Sequence, residues 1–189
     1  MHIEKKRERR TSKGTSAVTN QPIPSDGPPV RVNFFEGKFL TADDLSADQD
    51  YHRRMRYLHN RLLHGWGIVD GYHVEDDGRE VLVGPGFAID SYGRELVLSG
   101  HVRVDLPPEA AVDEQTLWYV VATWEEIPTA PVGVGDELVP TRWIERCALS
   151  IRPIPPEDNG QTLLLAALTA AAGNVVSIDT SHSRSRSIH

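Results

Sequence analysis

The stretch Leu58 to Val74, LHNRLLHGWGIVDGYHV, places His59, His64 and His73 around Trp66 and Asp70. Imidazoles and a carboxylate at that density raise metal binding or general acid–base chemistry. A zinc-binding helix wants two imidazoles one turn apart on one face, whereas His52 and His59 are seven positions apart and His59 and His64 five. His73 falls on the strand that follows and leaves a metal without a third ligand. A metal-dependent enzyme centred on His59, His64 and His73, with Asp70 as carboxylate partner, is therefore the alternative. The spacing itself leads to no metal, no cofactor and no catalytic residue. His59 and His64 have a plainer use near a helix C-terminus, where imidazolium faces the negative end of the dipole.

Other chemistry finds less support. The single cysteine, Cys147, falls on the apolar side of an alternating strand, the place of a buried and inert thiol. No nucleophile elbow occurs, and DSYG (residues 90–93) reads as a polar turn. No phosphate-binding glycine motif occurs either, since GVGDE lies in a proline-rich stretch with no helix after it. EDDG (Glu75 to Gly78) lacks the alternating ligands of a calcium loop and reads as a hairpin turn. Carboxylates such as Asp70, Glu80, Asp90 and Glu95 offer pairs for glycoside hydrolysis, as any acidic β-protein does.

The elements that position these residues follow from periodicity. Thr41 opens T-x-x-D with Asp44, a capping-box start, and a helix runs from there to Gly65. Its first half holds Asp43, Asp44, Asp48 and Asp50 and its second half Arg53, Arg54, Arg56 and Arg61, matching the dipole. Tyr51, Met55, Leu58 and Leu62 form an apolar stripe, widened by Leu45 and Leu63, which the spacing predicts to be buried. Gly65 and Gly67 flank Trp66 at the helix-to-strand joint, where Trp66 is expected to plug the helix onto the sheet. Before the helix, VRVNFFEGKFL reads as a β-prone segment with a turn at Glu36-Gly37.

Beyond Gly67 the period is that of strands. Residues 67–106 read as an antiparallel meander with turns at Gly78, Gly86 and Gly93. TLWYVVATWEE suits a central strand, and TRWIERCALSIRP alternates Trp143, Cys147, Leu149 and Ile151 inward with Arg142, Arg146, Ser150 and Arg152 outward. Trp118, Trp124 and Trp143 are expected in the core. IPTAPVGVGDELVP between these strands reads as a long exposed loop. TLLLAALTA and NVVSIDT form a last hairpin. The fold class is α+β, mainly antiparallel β in a meander or sandwich-like arrangement, with one long N-terminal amphipathic helix.

Size and composition fit one domain: 189 residues, 39% hydrophobic and 25% charged. Residues 1–29 read as a flexible basic and polar arm, 30–181 as the domain and 182–189 as a flexible tail. Residues 1–14 carry six Lys or Arg against two Glu, and the tail carries Arg184 and Arg186, so the body is more acidic than the net charge of −7. Such a body repels phosphate backbones, and no nucleic-acid partner is expected. No apolar run is long enough to cross a bilayer, the N-terminus is not a secretory signal, and a lone cysteine suits a reducing cytoplasm.

The runs VNFFEGKFLTADDLSADQDYHRRMRYLHNRLLHGWGIVDGYHV, VLVGPGFAIDSYGRELVL and LLLAALTAAAGNVVSIDTS resemble a bacterial family of phage-tail-like contractile injection systems. The pattern is similar to baseplate and tail-appendage components, including the shoulder region of the type VI secretion baseplate adaptor. The resemblance runs from Val32 to about Ser181 and is most specific over residues 33–98. It implies a β-rich scaffold or adaptor without catalytic residues, repeated about a three- or six-fold axis. It also implies a trimer or other homo-oligomer in contact with other baseplate or tail proteins, inside a particle assembled in the cytoplasm. Phe34 and Phe35, adjacent and therefore opposed on any strand, together with Phe39 and Trp66, are the expected partner-interface residues. Thr41, His59, His64, Gly65 and Gly67 are expected to serve the joint only. A small-ligand or glycan-binding β-module using Trp66 and the 127–140 loop is a second alternative.

Overall fold

The computed structural model describes residues 28–185. The basic arm expected over 1–29 lies outside these residues as far as residue 27, as do the last four residues. The segment expected to be β-prone forms no strand. Residues 29–40 run irregularly through a turn at Glu36-Gly37, closed by the Lys38 amide donating to the Phe35 carbonyl at 3.1 Å.

Helix α1 spans Ala42–His59. Thr41 Oγ1 accepts from the Asp44 amide at 3.2 Å while Asp44 Oδ2 accepts from the Thr41 amide at 3.1 Å, the reciprocal bonds of a capping box. The last turn widens into a π-helical turn, Asn60–His64, and Gly65 (φ 68°) ends it.

Among the described residues ten strands follow in chain order: β1 (Gly67–Gly71), β2 (Val74–Asp77), β3 (Glu80–Val83), β4 (Gly86–Ile89), β5 (Glu95–Leu98), β6 (Val102–Asp105), β7 (Thr116–Val134), β8 (Glu137–Arg152), β9 (Thr162–Ala171) and β10 (Asn174–Asp179). All named pairings are antiparallel, in three sheets ordered β1-β4-β5, β2-β3-β6 and β10-β9-β7-β8. The mainly antiparallel α+β class thus holds. The single meander over 67–106 does not, because this stretch alternates between two sheets. The chain leaves the first sheet at Gly71 and Tyr72, both left-handed (φ 73° and 58°), and returns to it through Gly84-Pro85. The Tyr72 amide donates to the Pro85 carbonyl at 3.0 Å, tying the two crossings together.

The core draws on all three sheets, with Ile68, Ala88, Leu96, Val81, Val83, Trp118, Val120, Ala122, Leu163, Leu165 and Leu168 in one cluster. In β7 the consecutive Val120, Val121 and Ala122 are fully buried, as in a strand with partners on both edges and cover on both faces.

The long loop expected between these strands is instead their continuation. β7 and β8 keep one register to a two-residue turn, with Val134 opposite Glu137, and the pairing lapses only at Ala130 (φ 50°). Gly135 (φ 62°) supplies the positive φ that a first loop position of type II′ needs. β9 pairs β7 only as far as Thr123, so the hairpin continues beyond it as an arm of two strands for about 35 Å, its base from Trp124 to Glu126 packed on the core and the helix. Its prolines, 128, 131 and 140, are tolerated because strands unpaired on one side need no second ladder of N–H donors.

Candidate interaction surface

The residues singled out for chemistry do not assemble. His59 and His64 stack edge to face, ring centres 5.0 Å apart, and both are exposed, as is His73 between β1 and β2 and Asp70 in β1. Among the described residues, no three His, Cys, Asp or Glu stand together as metal ligands. The acidic EDDG stretch serves its hairpin: Asp76 Oδ1 accepts from the Gly78 amide at 2.8 Å, and Arg103 bridges Asp77 and Glu80 from the neighbouring strand.

Cys147 is buried beside Tyr72, whose hydroxyl lies 3.0 Å from the Leu96 carbonyl oxygen and 3.3 Å from Cys147 Sγ. The phenol O–H is the donor to both, its one proton shared between the Leu96 carbonyl and Cys147 Sγ. Burial pushes the thiol pKa up, against the opposing pull of the Tyr72 hydrogen bond. This is a structural thiol.

The helix is seated on the β4–β5 turn by polar contacts. Asp90, wholly buried, accepts from the Tyr92 and Arg94 amides at 2.9 Å each and from Arg94 Nε at 2.6 Å. The Arg94 guanidinium stacks on Tyr92 and Trp124, at 4.8 and 4.4 Å from the ring centres. On the turn so fixed, Asn60 Nδ2 donates to the Gly93 carbonyl at 2.9 Å and to Glu95 Oε1 at 3.0 Å. Gly93 (φ 87°) lies so close under the helix that a Cβ there would stand 2.1 Å from the Tyr57 carbonyl oxygen. Arg53 reaches Glu126 at 3.3 Å, and Arg56 reaches Glu95 at 3.5 Å and Glu145 at 3.7 Å.

This departs from the expected packing at the ends of the stripe. Tyr57 and Asn60, neither in the apolar stripe, are the buried residues of the helix and its π turn. Tyr51, Met55 and Leu58 are half-buried, whereas Leu45, Leu62 and Leu63 are exposed, the last two at 69% and 71%. The exposed apolar series continues into the segment before the helix, through Val30, Phe34, Phe35, Leu40 and Phe39, the last 87% exposed. Lys38 pins that segment to the helix start through Asp44 at 2.8 Å, and its hydrogen bond, with those from Thr41, holds the Asp44 carboxyl below its ordinary pKa.

A second exposed apolar surface lies on the arm. Val132, Val134, Leu138 and Val139 are exposed there, and Trp143, expected in the core, is 47% exposed at its base beside Ile144. Trp143 sits opposite Pro128, beyond the reach of β9, so no third strand brings a sheet face over it. Sequence reasoning missed this arm and the seat at Asn60. The arm had a signal, since Gly-Asp flanked by V-x-V and L-V is a two-residue hairpin turn between strands.

The remaining joint and turn residues take these places. Thr41 caps α1, Gly65 ends the π turn and Gly67 opens β1. Gly78 and Gly93 lie in the β2–β3 and β4–β5 turns, while Gly86 begins β4 opposite Gly71 rather than turning. Trp66 packs against the core cluster with Arg184 over its ring.

No protein-family model matches this chain, and no curated protein does. Among solved structures, the chain is similar to one of the type VI secretion system TssK-TssF-TssG baseplate subcomplex, at 15% identity and TM-score 0.48, covering 80% of this chain and 60% of that one. It is similar to a second, the baseplate complex from the type VI secretion system, at 14% identity and TM-score 0.48, covering 81% and 58%. A crystal structure of TssK gives 14% identity and TM-score 0.49, covering 80% and 41%. The chain thus spans less than two thirds of each of these chains, and at such values neither fold nor function carries across.

Proposed function

We propose that this protein is a non-enzymatic structural or adaptor component of a phage-tail-like contractile injection particle, at the baseplate or tail tip, acting through homo-oligomerisation and contacts with other baseplate proteins. The observation that carries this reading is the apolar area left open at both ends of the helix: arginine–glutamate pairs and Asn60 hold it to its own chain, while Leu45 at its start, Leu62 and Leu63 at its end, and Phe34, Phe35 and Phe39 before it are exposed. Apolar area left open in this way is normally covered by another chain. The hairpin arm, with Val134, Leu138 and Trp143, supplies a second surface at a distance from the first. The similarity of the motif runs over residues 33–98 to baseplate components supports the same role.

The test is co-expression with the sheath, tube and spike proteins of a contractile particle from the same genome, followed by size-exclusion with light scattering. The expected result is a defined complex or a homo-oligomer. A clean monomer at micromolar concentration that elutes apart from every particle protein refutes it.

A further inference from the structure

Strand β1 is an edge strand, and the chain's own tail lies against it. The Ile68 amide donates to the Arg184 carbonyl at 2.9 Å, and Ile68 and Ser185 form a parallel bridge, so the tail expected to fray after Ser181 follows the sheet edge through Ser185. The Arg184 guanidinium sits 3.8 Å from the centre of the Trp66 ring. A cleft of about 540 Å³ opens beside this contact, lined by Trp66, Ile68, Glu157, Asp158 and Arg184 among others.

Among the described residues the tail meets β1 at the Ile68–Ser185 bridge and Trp66 at the stacked arginine, and its other bonds are local, the Ser183 amide and hydroxyl donating to the Thr180 carbonyl and His182 lying 3.2 Å from Asp179. Arg184 and Ser185 remain exposed. A short edge bridge and one cation–π contact, both made by exposed tail residues, amount to a reversible attachment.

We infer that the β1 edge and the Trp66 cleft form a strand-docking site for an extended, arginine-bearing segment of a partner polypeptide, and that residues 182–185 occupy it in cis until displaced. Three features select that chemistry. An open strand edge takes an extended backbone by adding a strand. The Trp66 face takes a planar cation. Glu157 and Asp158 line the same cleft and favour positive charge over negative. The small residues on either side of Arg184 show what passes between them along the edge.

The test uses the full chain and a synthetic peptide of residues 180–185, TSHSRS, titrated while the Trp66 indole N–H is followed by NMR. In Arg184→Glu, whose own tail is repelled, the peptide is expected to bind at least tenfold tighter than to wild type and to shift the Trp66 signal. Replacing the peptide's arginine by alanine, which needs no variant protein to fold, is expected to weaken binding at least tenfold. No saturable shift in Arg184→Glu, or binding that survives loss of the peptide arginine, overturns the inference. A concentration-dependent dimer of the wild type that Arg184→Glu abolishes also overturns it, by giving the cleft to a second copy.

Discussion

Replacing Gly93 by alanine tests how the helix is seated, because two separable costs meet at one atom. The residue holds φ 87°, and alanine in a left-handed conformation costs about 1–2 kcal/mol. The new Cβ would also stand 2.1 Å from the Tyr57 carbonyl oxygen, more than 1 Å inside contact distance by ordinary van der Waals radii. That carbonyl accepts the Asn60 amide within the helix and cannot tilt away freely. The helix end must lift, and Asn60 Nδ2 then loses Gly93 and Glu95, stranding a buried amide at about 1–3 kcal/mol. Together the loss is about 2–5 kcal/mol. Gly78→Ala is the control, since Gly78 holds φ 77° with nothing within 4 Å of its added Cβ, and should cost only the conformational part. Urea unfolding followed by tryptophan fluorescence should separate the two variants by about 2 kcal/mol. Amide exchange over Ala42–His59 should accelerate in Gly93→Ala alone. Equal losses in the two variants would show that the helix does not rest on this turn.

Leu62→Ala should change the unfolding free energy by no more than about 0.5 kcal/mol, whereas Leu168→Ala in the core should cost about 2–5 kcal/mol; a comparable loss at Leu62 would place the apolar stripe inside the fold. Asp90→Ala leaves the buried Arg94 guanidinium without its carboxylate and should cost about 3–5 kcal/mol by chemical denaturation. Cys147 has a pKa raised in the folded state, so its contribution is full below the unfolded thiol pKa and is lost as pH rises towards the folded one. Stability should therefore fall on the alkaline side of the ordinary thiol range, and Cys147→Ser should flatten that limb of the pH–stability curve. An unchanged limb would show that the thiol is not what titrates.

What the sequence made legible was local. The capping box at Thr41 and Asp44, the stop at Gly65, the turns at Gly78 and Gly93, and the crowded apolar run of β7 each depend on neighbours a few positions away. The amphipathic stripe was legible as a pattern, but a pattern states only that a face is apolar and not which surface covers it. The seat of the helix was decided by Asn60, Arg53 and Arg56, whose partners lie more than thirty residues on. Strand partnering over 67–106 was illegible for the same reason: alternation gives each strand a face, while the choice between two sheets rests on the left-handed pair Gly71 and Tyr72. On the arm, proline and glycine signal a loop wherever one assumes a strand paired on both sides. A free hairpin removes that assumption and leaves Trp143 outside.

The central claim is that the apolar surfaces left open on this chain are assembly surfaces. It is tested most directly by a double variant at the arm tip, Val134→Asp with Leu138→Asp, both exposed and outside the core. Incorporation into particles purified from cells should be measured against the wild type, alongside the melting temperature of each isolated chain. The account predicts an unchanged melting temperature with at least a tenfold loss of incorporation. Incorporation at the wild-type level, with the variant equally folded, would contradict it.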